Sequence, residues 1–142
     1  MRRTRIVLLI SALLLVVAAS ACGGTGGDDA GKASPTASAQ TASAELLKDI
    51  CWGAEDGVEL EPVRGATVAS ASADMYYVAM EFKTKDGTSH VGLWATDNVD
   101  GGGTNVSVDD VAMEYTAWPV ASDTDPSLNA DDAEAKAALA AL

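Results

Sequence analysis

The stretch Asp74–Thr96, DMYYVAMEFKTKDGTSHVGLWAT, decides the fold. Tyr76, Val78, Met80 and Phe82 alternate with Tyr77, Ala79, Glu81 and Lys83, the period of two expected of a half-buried strand. Lys85-Asp86-Gly87-Thr88 then reads as a tight turn, because Asp86-Gly87 accepts the positive φ angles such a hairpin requires. Val91, Leu93 and Ala95 share one side of the returning segment. Antiparallel strands are therefore predicted over about 75–84 and 89–97. Upstream, small and β-branched residues at about 66–71 predict a third strand, while Glu55–Pro62 is acidic and reads as irregular.

Helical spacing appears on both sides of this sheet. Ser43 is placed to cap a helix over about 44–51 that puts Leu47, Ile50 and Cys51 on one face before Gly53 stops it. After the loop DNVDGGGTN, Ser107 and Asp110 form a capping-box pattern for a helix over about 108–117. Its apolar stripe is Val108, Val111, Ala112 and Tyr115, and Pro119 ends it. A last helix, about 130–141, opens at Leu128-Asn129 with Asp132 and buries Ala135, Ala138, Leu139 and Leu142. The expected class is α+β: a small antiparallel three-stranded sheet covered on one face by helices.

The amino terminus predicts an address. Arg2, Arg3 and Arg5 form a basic start, and Ile6–Ala21 is apolar except for Ser11 and Ser20. The run is short for a permanent span and suits an export signal over residues 1–21. Its end, Ala19-Ser20-Ala21-Cys22, resembles the bacterial lipoprotein lipobox, with Ala19 where leucine is commonest. The resemblance implies a diacylglyceryl thioether on Cys22, which becomes the first residue after cleavage. Buried acyl chains contribute about 0.8 kcal/mol per CH₂, so two or more hold the protein stably on the extracytoplasmic face of the membrane. The competing expectation is an ordinary Ala-x-Ala cleavage that leaves Cys22 a free thiol.

Residues 22–42 carry the lipidated cysteine and then Gly, Ser, Ala and Thr with no large apolar side chain, and so read as a disordered tether. Its root-mean-square reach is about 25 Å. Residues 43–142 are one domain's worth of chain. Three of the nine basic residues precede Cys22 and all 21 acidic residues follow it, so the chain from Cys22 onward carries six against 21, a net charge of −15. Nucleic acid is excluded as a partner, since phosphate binding needs a basic surface, and an anionic lipid surface would repel the head. The membrane partner is the lipid at Cys22 alone.

A second resemblance lies in the head. YYVAMEF, VGLWATDN, the Gly101–Gly103 run and VDDVAMEYTAWP are similar to small actinobacterial lipoproteins with a VGxWATN-type strand, a glycine loop and a helix ending near tryptophan. It implies a fold and an address and supplies no reaction. Some members carry a terminal cysteine able to pair with one near the start of the head. Here no cysteine follows Cys51 as far as Leu142.

The candidates for chemistry divide between bland and specific roles. Cys51, beside Ile50, reads as a small buried hydrophobe, with an intermolecular disulfide or a nucleophile as the alternatives. His90, the only histidine, reads as an exposed strand residue, and one histidine with two cysteines does not make a zinc site. Asp97, Asp100, Asp109, Asp110 and Glu114 do not follow calcium-loop spacing and read as a solvated loop and helix cap, with paired-acid glycoside hydrolysis as a remote alternative. The glycine run reads as a flexible connection rather than an anion site, because Asp109 and Asp110 already occupy the helix start. Asn105-Val106-Ser107 matches a glycosylation sequon that the lipobox context makes irrelevant. Trp52, Trp94 and Trp118 would form a sugar-stacking platform only if exposed together, and read instead as core. No cofactor, metal ligand set or catalytic group is expected. The function expected is that of a non-catalytic, lipid-anchored binding module; an accessory subunit of an envelope complex and a small carboxylate hydrolase are the alternatives.

Overall fold

A computed structural model describes residues 38–142. The expected signal segment, the acceptor Cys22 and the tether up to residue 37 lie outside the described residues. The class is α+β as expected, but the sheet has five strands among the described residues instead of three. They are β1 (Gln40–Thr41), β2 (Leu60–Ala69), β3 (Tyr76–Thr84), β4 (Ser89–Thr96) and β5 (Asn105–Ser107), hydrogen-bonded in chain order and antiparallel throughout.

The β3–β4 hairpin forms as its alternation and Asp86-Gly87 turn dictate, with Gly87 at φ +84°. The other three strands depart from expectation. β2 starts at Leu60, six residues before the strand expected at 66–71, and passes through Pro62 with a bulge between Pro62 and Arg64. Proline is tolerated there because β1 pairs only with Ala66 and Thr67, leaving the Pro62 end of β2 at the sheet edge. β1 lies within the segment expected to be tether, and Ala42 is buried with its N–H donated to the Gly65 carbonyl at 2.9 Å. The head therefore begins no later than Gln40 instead of Ser43. β5 falls in what reads as loop before a helix.

The helices are α1 (Ala44–Trp52), α2 (Asp110–Tyr115), α3 (Ala121–Thr124) and α4 (Ala133–Ala140). Ser43 caps α1 as expected, its Oγ accepting from the Leu46 N–H at 3.1 Å. The cap of α2 is Asp109, whose Oδ1 accepts from the Ala112 N–H at 2.8 Å. Ser107, expected in that role, is fully buried in β5 and meets the Thr116 hydroxyl at 3.1 Å. Asp132 precedes α4, but its carboxylate accepts from the Tyr77 hydroxyl and makes no cap.

Helices cover both faces of the sheet, not one. Directly paired residues share a face, so Val78 with Trp94, and Met80 and Phe82 beside them, pack with Leu46, Leu47, Ile50 and Ala112 of α1 and α2. Tyr77 with Ala95 and Ala79 with Leu93 face the other way, against Leu128, Ala135 and Ala138. Leu93 and Ala95 share a side as expected, but the register sets that side with Tyr77 and Ala79 and not with Val78 and Met80. Two buried hydroxyl groups tie the layers. Tyr77 joins β3 to Asp132 and to the Asn129 N–H at 2.9 Å, while Thr116 accepts from the Trp94 indole at 3.0 Å and donates to the Ala112 carbonyl at 2.6 Å.

Candidate functional site

Helical geometry places Trp52 outside the core. Leu46, Leu47 and Ile50 are buried on the inner face of α1, and at 100° per residue Trp52 lies about 200° around from Ile50. Glu45, Lys48, Asp49 and Trp52 thus form the outer stripe at spacing i, i+3, i+4, i+7. Trp52 is 83% exposed, the largest exposure among the large hydrophobic residues described. Its aromatic neighbour is Trp118, with ring centroids 6.4 Å apart and planes at 44°.

That neighbour is itself fixed. The Trp118 indole donates to the Ile50 carbonyl at 3.0 Å, and Gly53 leaves space for the ring, since a Cβ there would sit 2.2 Å from Trp118 Cε2. Gly53 therefore serves close approach as well as helix termination.

Opposite Trp52, the β4–β5 loop folds onto α1 and borders a shallow, open groove of about 470 Å³ lined by Glu45, Lys48, Asp49, Trp52, Asp100 and the Gly101-Gly102 backbone. The loop is not the flexible connection expected from its glycines. Gly101 and Gly102 adopt φ +90° and +73°, conformations open to glycine. The Asp49 carboxylate accepts from the Gly102 N–H at 3.1 Å and from the Asn105 side-chain amide at 2.8 Å, pinning the loop to the helix. Ser43 adds a bond to the Val99 carbonyl at 3.0 Å. Buried Asn105 keeps its Oδ1 without a partner among the described residues.

A second groove, of about 430 Å³, lies at the β3–β4 turn and includes Glu59, Asp86, His90 and Tyr115. His90 is half-buried instead of exposed, stacked on Phe82 at 5.6 Å and 25°, with Nε2 3.2 Å from the Tyr115 hydroxyl. Asp86 is committed to its own turn: the Thr84 and Thr88 hydroxyls and the Thr88 N–H hold its carboxyl down at about 2. This groove has its polar groups bonded to one another, the arrangement of a structural turn.

Cys51 is a free cysteine, half-buried, with its Sγ 4.0 Å from Met80 Sδ. Burial pushes the thiol up to about 11, so it is almost wholly protonated at neutral pH and a poor nucleophile. Among the described residues no group of three or more His, Cys, Asp or Glu side chains is arranged to hold a metal ion. Asp97 accepts from the Thr104 N–H at 2.8 Å across the loop, and Asp109 is occupied as a cap. Trp94 is buried, Trp118 half-buried and Trp52 exposed, so the three tryptophans do not make one platform. Comparison with protein-family models, with curated proteins and with solved structures gave no match to this chain.

Proposed function

We propose that this protein is a lipid-anchored extracytoplasmic binding module, attached through Cys22 and docking a partner on the Trp52 groove. The observation that carries the docking role is Trp52 itself, 83% exposed at the wall of a groove whose opposite side is pinned by Asp49. Exposing an indole forgoes the burial that would stabilise the fold by about 1.5–3 kcal/mol for a large apolar side chain. Interfaces use such residues: tryptophan anchors ringed by polar groups dominate binding energy. The membrane attachment rests on the basic start, the apolar run and the Ala19-Ser20-Ala21-Cys22 resemblance. A binding role in place of catalysis is supported by the raised Cys51 thiol and by the use of Asp86 and Asp109 in turn and cap bonds.

The anchor is tested by palmitate labelling and intact mass of the native product: label in wild type that is lost in Cys22→Ala is expected, and equal labelling overturns it. The docking role is tested by purifying the detergent-solubilised lipoprotein from its own membranes. A stoichiometric companion that wild type retains and Trp52→Leu loses is expected. A companion retained equally by both removes Trp52 from the interface.

A further inference from the structure

The chemistry of the groove wall limits what Trp52 can receive. Glu45, Asp49 and Asp100 set three carboxylates against the single ammonium of Lys48. The loop's own donors are engaged: the Gly102 N–H and the Asn105 amide both go to Asp49, the Asn98 amide goes to the Gly101 carbonyl at 2.8 Å, and the Asp100 N–H goes to Asn98 Oδ1 at 3.0 Å, which leaves the Lys48 ammonium and the Trp52 indole N–H as donors on the wall. What the groove offers is an excess of acceptors, net negative charge and an indole face. A neutral sugar gains nothing from the net negative charge, whereas a lysine or arginine side chain is drawn by it, needs acceptors alone and gains further attraction over an aromatic ring.

Resting on the docking role of Trp52, we propose that the groove takes a lysine or arginine side chain from a basic segment of a partner protein. The alkyl stem or guanidinium plane lies on the Trp52 indole, with the cationic head between Glu45, Asp49 and Asp100. A second copy of this chain fits poorly. Residues 38–142 carry 19 acidic against five basic side chains, so two heads repel at long range. The same field draws a basic partner in and makes its association depend on salt. Trp118 behind the indole and Asp49 across the loop pre-organise the groove, so little ordering accompanies docking.

The test uses the full chain in detergent micelles. Three probes are added: the peptide acetyl-Gly-Arg-Gly-Arg-Gly-amide, its glutamate counterpart, and tri-N-acetylglucosamine. Trp52 emission is isolated as the difference from Trp52→Leu, whose fold is checked by circular dichroism. The arginine peptide is expected to change that emission saturably, with an affinity that weakens several-fold between 50 and 200 mM NaCl and at least threefold in Asp100→Asn or Glu45→Gln. Caesium is expected to quench Trp52 better than iodide, since the surrounding field concentrates cations. Saturable binding of the trisaccharide or the acidic peptide without the arginine peptide overturns the cationic assignment while docking stands. Arginine-peptide binding indifferent to salt and to both carboxylate variants also overturns it. If no probe moves the Trp52 signal, the cationic assignment fails, and if the membrane companion is also indifferent to Trp52→Leu, the docking role fails with it.

Discussion

Cys51 shows how one residue's surroundings set its chemistry. Its thiol lies against Met80 beneath the end of α1, and burial raises it from 9.0 to about 11. At pH 8 the thiolate fraction is then about a hundredfold lower than for the same thiol in the unfolded chain. Reaction with a disulfide reagent at pH 8 is expected to be slower by at least about that factor in the native protein than in urea. Equal rates would place the thiol in solvent. With a raised folded value, the stability from this group is complete below pH 9 and declines as pH rises towards 11. Gly53 is the second sensitive point: Gly53→Ala drives a methyl into Trp118 and is expected to cost about 1–3 kcal/mol in urea unfolding. The exposure of Trp52 was legible in the sequence, because its helical angle from Ile50 follows from their spacing; grouping it with Trp94 and Trp118 by residue type hid that signal.

At the scale of elements, the cap of α2 separates charge from hydrogen bonding. Asp109→Ala removes the acceptor for the Ala112 N–H and is expected to cost about 1 kcal/mol. Desolvation raises the Asp109 carboxyl, so the folded state holds its proton more tightly than the unfolded chain. The stability it contributes is fullest below the ordinary aspartate value of about 3.9 and declines as pH rises through the folded value. Asp109→Asn keeps an acceptor and is expected to lose that slope, which urea titrations at a series of pH values will register. The β3–β4 hairpin and α1 were readable because their periodicity and punctuation agree. β1 and β5 were not, because two or three residues of Gln, Thr, Asn, Val and Ser carry no period, and their pairing is set by neighbouring strands. Ser107 misled for a related reason: its spacing from Asp110 mimics a capping box, while its side chain is already engaged by Thr116 in the core.

At the scale of the whole molecule, two cores among the described residues share one sheet, so neither is independent of the other. Leu93, fully buried on the α4 face, is the residue after Gly92 and before Trp94, which faces α1 and α2. Leu93→Ala is expected to cost about 2–5 kcal/mol, and the Trp94 environment, read by near-ultraviolet circular dichroism, should be lost at the same urea concentration as backbone structure. Separate midpoints would show that the two faces unfold separately. Both layers were predictable only in part. On β3 the row Tyr77, Ala79, Glu81 resembles a solvent-facing pattern, and only the placement of α4 reveals that Tyr77 and Ala79 are covered.

The arrangement of strands in chain order has a kinetic consequence. Each strand pairs with the strand before or after it in the chain, so the sheet closes through local hairpin and crossover loops, while α1 must still find the β4–β5 loop across 56 residues. Assembly can proceed as successive additions to a growing edge, beginning at the tight turn around Gly87, and stopped-flow refolding is expected to finish within milliseconds to a second.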